Sequence, residues 1–351
     1  MLKKYKLFKK VQESELVSSL YLCSENNESL APFKPGQHLL FKIKPEGQGH
    51  YIQRFYSFSE APGKDYYRIS VKKELTLDNS EKIPSGKAST LLHEYIQEGD
   101  ILEAKGPMGD FFLNSNEQTP IVLVAGGIGI TPLLSMVNAI VESESNQNVI
   151  FFLGVTNSTD HIFKAHLENL NKENNNIQIF ICYSNPLRSD KLGLDYDYFG
   201  FVDYDYMKSK LSHGSYDFYV CGPPMMMNYI TGSLRLEGVS DNRIYTESFG
   251  PASVAYSVMS DEGSKEESTA VTFSVSGKTV EWAPEYNSIV ELAEAHDINI
   301  DVGCLFGDCG TCLTEIVAGE VNYNHATMIQ PDPGTCLPCS CKPKGALELK
   351  I

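Results

Sequence analysis

Three hydrophobic patterns follow one another along the 351-residue chain. Up to about residue 115, short strand-like stretches rich in apolar residues, such as His38–Ile43 and Tyr66–Lys72, each follow turn residues that include a Pro-Gly pair. This spacing predicts the strands of a small antiparallel barrel. From 116 to about 250, buried-strand runs such as Ile121–Ala125 and Asp217–Cys221 alternate with helical patterns, which predicts a parallel α/β sheet.

The third pattern follows a polar run, Ser260–Ser268, that has no apolar anchors and is typical of a linker. Beyond it the chain predicts a hairpin, a capped helix and a closing strand, which is an α+β pattern. The elements are Ala270–Val275, Lys278–Trp282, a capping box at Ser288 and Glu291 with a helix through His296, and Ala346–Ile351. The predicted domains are 1–115, 116–250 and 269–351, with a linker at 251–268.

Six of the nine cysteines lie after residue 300, which favours a metal site over a disulfide framework. Cys304, Cys309 and Cys312 have the C-x4-C-x2-C spacing of plant-type [2Fe–2S] sites, which a distant fourth cysteine completes. Three nearby cysteines, at 336, 339 and 341, are candidates for that ligand. The alternatives are ordinary core cysteines and a zinc site, although zinc sites usually have two short C-x2-C knuckles.

The net charge and the search for targeting signals limit the classes of partner and the cellular location that we expect for this chain. The formal charge of −16 disfavours nucleic acid and anionic membranes as partners. Residues 269–351 have four Lys/Arg and eleven Asp/Glu, a net charge of −7, which is either a solvated surface or a means of steering a basic partner. No signal-peptide pattern follows the basic N-terminus, and the apolar run Ile121–Ile130 is too short to span a bilayer. We therefore expect a cytoplasmic protein without membrane insertion.

Two short motifs in the first domain suit a phosphorylated ligand. Arg54 offers a charged fork, Tyr56 an aromatic face and Ser57 a small donor, although an exposed strand explains R-x-Y-S equally well. Ser85–Thr90 is a Gly/Ser loop before the helical pattern Leu91–Ile96, so it is either a phosphate site or an ordinary helix cap.

Two further motifs lie in the second domain. Gly126–Pro132 reads G-G-x-G-x-T-P between a strand and a helix, where glycines allow a pyrophosphate to approach the helix start. Thr131 is predicted to be the N-cap of this helix and Pro132 its first residue. Cys221-Gly222-Pro223 follows a strand at the carboxyl edge, where such sheets bind ligands.

Taken together, R-x-Y-S, G-x-x-S, G-G-x-G-x-T-P, C-G-P and the cysteine loop occur in an order that resembles the ferredoxin-NAD(P)H reductase superfamily, in the branch with a C-terminal plant-type ferredoxin domain. The first 250 residues resemble the reductase part of flavohemoglobins. The whole chain resembles reductase components of multicomponent oxygenases and hybrid-cluster-protein reductases. The resemblance implies an antiparallel β-barrel flavin domain, an α/β parallel-sheet nucleotide domain and an α+β β-grasp ferredoxin domain.

The resemblance also implies residue roles. Arg54 corresponds to the flavin-phosphate ligand, Tyr56 packs on the isoalloxazine, and Ser57 lies near its reactive N5. Cys221 lies beside the nicotinamide, so that Ser57 and Cys221 are the catalytic candidates, and Phe249 borders the flavin. The remaining implied cofactor contacts are Phe55, Val71, Lys73, Gly86, Lys87, Ala88 and Ser89 for FAD, and Gly126, Gly127, Gly129, Thr131, Pro132, Gly222 and Pro223 for the nicotinamide dinucleotide.

For the cluster, the family's closing motif Leu-x-Cys fits Leu337–Cys339. The implied metal ligands are therefore Cys304, Cys309, Cys312 and Cys339, and Cys336 and Cys341 receive no role. Leu305-Phe306 occupies loop positions where many relatives have a basic residue, which leaves the partner-facing surface open.

Electron counting gives the expected function. A nicotinamide delivers two electrons as hydride and the cluster accepts one, so a flavin must stand between them. We expect electrons to pass from NADH through FAD and the cluster to a separate redox protein such as an oxygenase component. The rivals are a terminal flavin or ferric reductase and a redox-sensing module.

The sequence also favours particular cofactors. The Gly86–Ser89 loop would be superfluous for FMN, so FAD is expected. The segment Tyr183–Pro186 lacks the cation that binds a 2′-phosphate in NADPH-using relatives, which favours NADH. Arg188 lies nearby and leaves NADPH possible.

Overall fold

The computed structural model divides into two compact units. The first consists of Met1–Phe41 and Phe55–Ser248, and the second of Lys42–Arg54 and Phe249–Ile351. The described residues are 2–26, 28–43, 52–74, 88–114, 119–249, 269–283, 286–302, 307, 310–323, 327 and 329–351. The predicted linker at 251–268 lies outside them, and the proposed domain boundaries stay a prediction.

The first sheet has six strands in the order β4-β3-β6-β1-β2-β5. Its strands are β1 (Leu2–Gln12), β2 (Val17–Ser24), β3 (His38–Ile43), β4 (Ile52–Ser57), β5 (Tyr67–Lys72) and β6 (Ile101–Met108). β1 pairs antiparallel with β2 and β6, and β2 pairs antiparallel with β5. Phe58, just after β4, bridges to Ile69 of β5, so the two ends of the order meet as in the predicted barrel.

A short helix, α1 (Ala88–Thr90), continues into a π-helical turn at Leu91–Tyr95. The sequence predicts an ordinary helix here. The backbone N–H of Ile96 instead reaches back five residues to the Leu91 carbonyl, at 3.1 Å. Lys10 Nζ donates to the carbonyls of His93 and Ile96, both at 2.7 Å, and so stabilises the end of this turn.

The second sheet is parallel throughout, in the order β10-β9-β8-β7-β11-β12. Its elements are β7 (Ile121–Gly126), α2 (Ile130–Glu142), β8 (Val149–Val155), α3 (Lys164–Glu173), β9 (Ile177–Tyr183), β10 (Tyr198–Phe199), α4 (Tyr204–Lys210), β11 (Asp217–Cys221), α5 (Pro224–Leu236) and β12 (Ile244–Glu247). The β7 strand is fully buried, as a continuous apolar run predicts for a central parallel strand.

The start of α2 differs from the prediction. Gly127–Gly129 form a 3₁₀ turn that runs into the helix, so Gly129 occupies the N-cap and Thr131 lies inside the first turn. The Thr131 hydroxyl donates to the Ile128 carbonyl at 3.1 Å rather than accepting an N–H. The assignment of Thr131 as N-cap was wrong because the glycines start the helical turn earlier.

Glu60 connects the barrel to the nucleotide sheet within the first unit. Its carbonyl accepts from Ser135 Oγ at 2.7 Å, and its carboxylate accepts from Asn138 Nδ2 at 3.2 Å. Arg68 Nη1 lies 3.3 Å from the same carboxylate and balances its charge. Two side chains of α2 are thereby fixed to one barrel loop.

The second unit contains a five-stranded sheet in the order β14-β13-β19-β15-β17 and a two-stranded pair, β16 and β18. Its elements are β13 (Thr269–Phe273), β14 (Lys278–Trp282), α6 (Ile289–Ala295), β15 (Thr314–Ala318), β16 (Val321–Tyr323), β17 (Thr335–Cys336), β18 (Cys341–Pro343) and β19 (Leu347–Leu349). The terminal strand β19 pairs parallel with β13, which gives the mixed sheet of the predicted β-grasp fold.

The Ser288 half of the predicted capping box is present, because Ser288 Oγ accepts from the Glu291 N–H at 3.2 Å. The Glu291 carboxylate accepts instead from the Asn287 N–H, one residue before the cap, at 2.8 Å. The buried residues of α6 pack into the core of this unit. None of the helices in the described part of the chain has the length and apolar character that a bilayer crossing requires.

Candidate functional site

The glycine loop after β7 packs directly on the end of β11. The two strands are neighbours, with Ala125 in register with Cys221. A Cβ atom on Gly129 would lie 2.2 Å from the Cys221 carbonyl oxygen, and one on Gly126 would lie 2.6 Å from Cδ of Pro223. Only glycine permits this approach, so the two predicted motifs form one surface at the carboxyl edge of the sheet.

Gly127 differs from its neighbours in the loop. Its φ is +53°, and a Cβ built there would meet none of the described atoms within 4 Å. Thr131 and Pro132 are buried, and the Thr131 hydroxyl is used inside the helix. The loop therefore offers a ligand its backbone at Gly127, while the Thr131 side chain supports the helix start.

Cys221 is fully buried at the end of β11, in register with Glu247 of β12. Burial raises the pKa of the Cys221 thiol well above its ordinary value, and the negative charge of Glu247 acts in the same direction. The thiol therefore stays protonated near neutral pH. This excludes a thiolate nucleophile and is consistent with a packing role beside a ligand.

Glu247 also joins the barrel residues to this surface. Ser57 Oγ donates to Glu247 Oε2 at 3.0 Å, and His38 Nδ1 lies 3.2 Å from Glu247 Oε1. Because a carboxylate oxygen accepts, a hydrogen bond from His38 requires the proton on Nδ1. The structure thus brings both Ser57 and Cys221 next to Glu247, Ser57 through a hydrogen bond and Cys221 through strand pairing.

The sequence analysis assigned no role to Glu247 or His38, although both lie in stretches that it singled out. Glu247 lies two residues before Phe249, and His38 begins the predicted strand after a Pro-Gly turn. His38 is held in place by the edge of the Phe55 ring, with ring centroids 4.4 Å apart. Gly109, with a φ of +109°, makes room for the imidazole, since a Cβ there would lie 2.7 Å from His38 Cε1.

The other residues of the R-x-Y-S segment lie along β4. Tyr56 packs edge-on against Phe41, with centroids 5.7 Å apart. Arg54 Nη1 donates to the Gln53 carbonyl at 2.7 Å and lies 3.3 Å from Glu294 Oε1, inside the second unit. A guanidinium has five N–H donors, so this pairing leaves capacity for a phosphate.

The segment proposed to hold the FAD pyrophosphate is partly described. His93 Nε2 donates to the Val71 carbonyl at 2.8 Å, and Lys73 Nζ forms an ion pair with Glu94 at 2.5 Å. Ser89 Oγ accepts from the Glu74 N–H at 3.2 Å, and Ala88 is buried. These contacts bring the end of β5 together with α1. Gly86 and Lys87 lie outside the described residues, and Phe249 is half-buried.

Two of the four proposed cluster ligands are described, and they converge. Cys312 Sγ and Cys339 Sγ are 3.1 Å apart, and both are buried. The hydrogen bond between the Cys312 and Cys339 sulfurs, together with burial, raises the pKa of the Cys339 thiol. The glycines of the loop, Gly307 and Gly310, have φ angles of +82° and +69°, which suits a loop that turns sharply around a metal group. Cys304, Cys309 and the Leu305-Phe306 pair lie outside the described residues.

Cys336 and Cys341 are both fully buried, and each lies on a short strand, whereas Cys339 lies in the turn between them. A hydrogen bond between the Cys341 and Cys336 thiols raises the pKa of Cys341. These two thiols satisfy each other, while the Cys339 sulfur faces that of Cys312. The described sulfurs of Cys312 and Cys339 therefore suit two of the four ligands expected for a [2Fe–2S] cluster, and Cys304 and Cys309 stay predicted ligands.

Comparison with known families decides the classification. Residues 4–113 match the oxidoreductase FAD-binding domain, residues 123–231 the oxidoreductase NAD-binding domain, and residues 271–344 the 2Fe-2S iron-sulfur cluster binding domain. The chain belongs to the ferredoxin-NAD(P)H reductase superfamily and carries a C-terminal [2Fe–2S] domain. The expected fold class and the expected cofactors, including FAD, are thereby confirmed, and the chain is an oxidoreductase.

Individual relatives match in two ways. A flavohemoprotein of Bacillus anthracis is 41% identical over 244 residues, which are 70% of this chain and 60% of the relative. The chain thus spans about 60% of the length of such flavohemoproteins. The solved FAD/NAD-binding domain of a nitric oxide dioxygenase from Vibrio cholerae is 26% identical, with a TM-score of 0.60, over 71% of this chain and 99% of that one.

Phthalate dioxygenase reductase matches the whole chain. The alignment covers 100% of this chain and 98% of the reductase, with a TM-score of 0.68 and 22% identity. At this identity the likeness shows the fold alone, and it extends through all three domains.

We expect Ser57→Ala and Glu247→Gln each to slow flavin reduction by NADH on the order of 10²-fold, because each breaks the hydrogen bond between hydroxyl and carboxylate beside the proposed hydride-transfer position. Anaerobic stopped-flow absorbance measures this rate at full FAD occupancy. Ser19→Ala is the matched control, since this buried barrel hydroxyl bonds Ser70 at 2.8 Å. Wild-type rates in both site variants would contradict the assignment.

We expect Cys339→Ser to lose the cluster, because one iron loses a thiolate. Iron and sulfide content and the EPR signal of the reduced protein measure the loss. Cys336→Ser and Cys341→Ser should keep two irons per chain, since their thiols pair with each other. A stable wild-type cluster in the Cys339 variant would refute the ligand assignment.

Proposed function

We propose that this protein is an electron-transfer reductase that takes hydride from NADH and delivers single electrons to a separate redox protein, such as an oxygenase component. FAD accepts the hydride and releases electrons singly, and the [2Fe–2S] cluster accepts them one at a time. The observation that carries the proposal is that one chain combines the Ser57, Glu247 and Cys221 arrangement with the Cys312 and Cys339 site.

The residues of the first unit bind and orient the reactants in this proposal. The open backbone at Gly127 accommodates the dinucleotide at the start of α2, where free N–H groups favour phosphate. The neutral Cys221 thiol would pack beside a bound nicotinamide without competing for hydride. Ser57, held by Glu247, would offer its hydroxyl to a bound flavin, while His38 keeps the carboxylate in position.

The acceptor is proposed to be a protein with a basic docking surface. The net charge of −7 over residues 269–351 favours encounter with such a partner. The solved phthalate dioxygenase reductase, described as modular for electron transfer from pyridine nucleotides to [2Fe–2S], has the same three-part fold. The flavohemoprotein of Bacillus anthracis matches 70% of this chain rather than all of it, whereas phthalate dioxygenase reductase covers the full chain, which favours the reductase interpretation.

Two acceptors test this proposal. With NADH, the wild-type chain should reduce both ferricyanide and cytochrome c, whereas Cys339→Ser should keep ferricyanide reduction and lose cytochrome c reduction. Cys23→Ser serves as a control because Cys23 lies in β2 of the barrel. Unchanged cytochrome c reduction in Cys339→Ser would indicate a terminal flavin or ferric reductase, and no turnover with either acceptor would indicate a sensor.

The preference for NADH over NADPH rests on the segment after β9. Asn185 donates its N–H to the Thr156 carbonyl at 2.8 Å, and Arg188 is exposed. Asp190 accepts from the Leu187 N–H at 2.9 Å, and Asp195 forms an ion pair with Lys164 at 2.5 Å. These carboxylates fix the loop and raise the cost of bringing a second phosphate to it.

We expect kcat/KM for NADH to exceed that for NADPH by at least about tenfold, since a missing charge-assisted contact is worth roughly 1.5–3 kcal/mol. Steady-state kinetics with both nucleotides measures the ratio. Arg188→Ala should leave the ratio unchanged, as should the control Lys191→Ala. Equal efficiencies that become selective for NADH only in Arg188→Ala would show that Arg188 binds the 2′-phosphate.

A further inference from the structure

Ser340 is a fully buried hydroxyl next to a proposed cluster ligand. It lies in the turn between β17 and β18, directly after Cys339, and is completely shielded from solvent. Its backbone N–H donates to the Leu337 carbonyl at 2.9 Å and so closes the turn. The turn therefore fixes the position from which the Ser340 side chain extends.

The hydroxyl contacts the Cys339 sulfur. Ser340 Oγ lies 3.3 Å from Cys339 Sγ, and within the described part of the chain this sulfur is its hydrogen-bond partner. A buried hydroxyl requires such a partner. A cysteine that binds iron is a thiolate and has no proton to give, so the direction of the bond is fixed once the cluster is present: Ser340 donates and Cys339 accepts.

Gly307 confines this hydroxyl. A Cβ on Gly307 would lie 2.7 Å from Ser340 Oγ and 2.4 Å from Thr327 Cγ2, so the loop backbone lies tightly against both side chains. The Gly307 N–H also donates to the Cys339 sulfur. The sulfur thus receives one backbone donor and one side-chain donor on the same side.

We propose that Ser340 sets the reduction potential of the [2Fe–2S] cluster by donating a hydrogen bond to the Cys339 sulfur. Reduction adds one negative charge to the cluster and its sulfurs, and a hydrogen bond to a more negative acceptor is stronger. The hydroxyl therefore stabilises the reduced cluster more than the oxidised one and raises its potential. A higher potential favours electron flow from the flavin to the cluster.

The test is a redox titration of the full-length protein, followed by visible absorbance and by EPR of the reduced cluster. In Ser340→Ala the equilibrium constant for cluster reduction should fall about three- to tenfold, and a tenfold fall corresponds to a midpoint ~59 mV more negative for a one-electron couple. Ser340→Thr keeps the hydroxyl and should stay close to wild type. The control Ser274→Ala removes a hydroxyl that donates to the Leu349 carbonyl at 3.1 Å and should leave the potential unchanged.

An unchanged potential in Ser340→Ala with a full cluster would overturn the proposal. If Ser340→Ala cannot hold a cluster, Ser340→Cys replaces it, because a thiol is a weaker donor and must also lower the potential. Failure of all three variants to assemble the cluster would contradict the proposal too, since the hydroxyl would then serve assembly. The proposal depends on the assignment of Cys339 as a cluster ligand and does not depend on the identity of the electron acceptor. A cluster that persists in Cys339→Ser would show that the ligand assignment itself is wrong.

Discussion

Close contact between two backbones at the carboxyl edge of the parallel sheet is the constraint on which the rest of the first unit depends. Gly126 and Gly129 lie against Cys221-Gly222-Pro223 at distances that exclude any Cβ atom. This contact fixes the glycine loop relative to the end of β11, so the start of α2 and the Cys221 thiol keep one mutual position. In contrast to Gly126 and Gly129, a Cβ atom on Gly127 would meet none of the described atoms within 4 Å, which leaves room for a ligand.

From this edge, strand β12 connects the parallel sheet to the barrel. β12 pairs with β11 so that Glu247 lies beside Cys221, and the Glu247 carboxylate then meets Ser57 and His38 of the barrel. Glu60 makes a second connection by accepting from Ser135 and Asn138 of α2. Neither sheet holds the candidate site alone, because the hydroxyl comes from one sheet and the carboxylate from the other.

The sequence predicts what depends on neighbours along the chain. The His38–Ile43 strand is found at its predicted bounds, because the turn residues Pro35-Gly36 mark where it can begin and every second residue from Leu39 is buried. The capping box at Ser288 and Glu291 is likewise local. The prediction of Thr131 as the N-cap was wrong because the glycines before it also suit the start of a helix. The helical turn begins at these glycines.

Long-range contacts explain what could not be predicted. Glu247 lies 190 residues from Ser57 and 209 from His38, and no periodicity or spacing connects residues so distant. Glu247 resembles any polar residue at the end of an edge strand until the fold places it beside a buried thiol and a serine. Recognition of the motifs therefore predicts where the cofactors bind, whereas the groups that hold those motifs in position emerge only from the packing.

The cysteine-rich turn shows how strand geometry separates three similar residues. Cys336 pairs with Thr314 in one sheet and Cys341 with Tyr323 in another, so each is committed to a strand and to the core. Cys339 lies in the turn between these strands, where its sulfur is free to face Cys312. Ser340 lies 3.3 Å from that sulfur, and both flanking thiols are buried in the same core. Such a buried, donor-bearing surrounding is the kind that tunes a bound metal group.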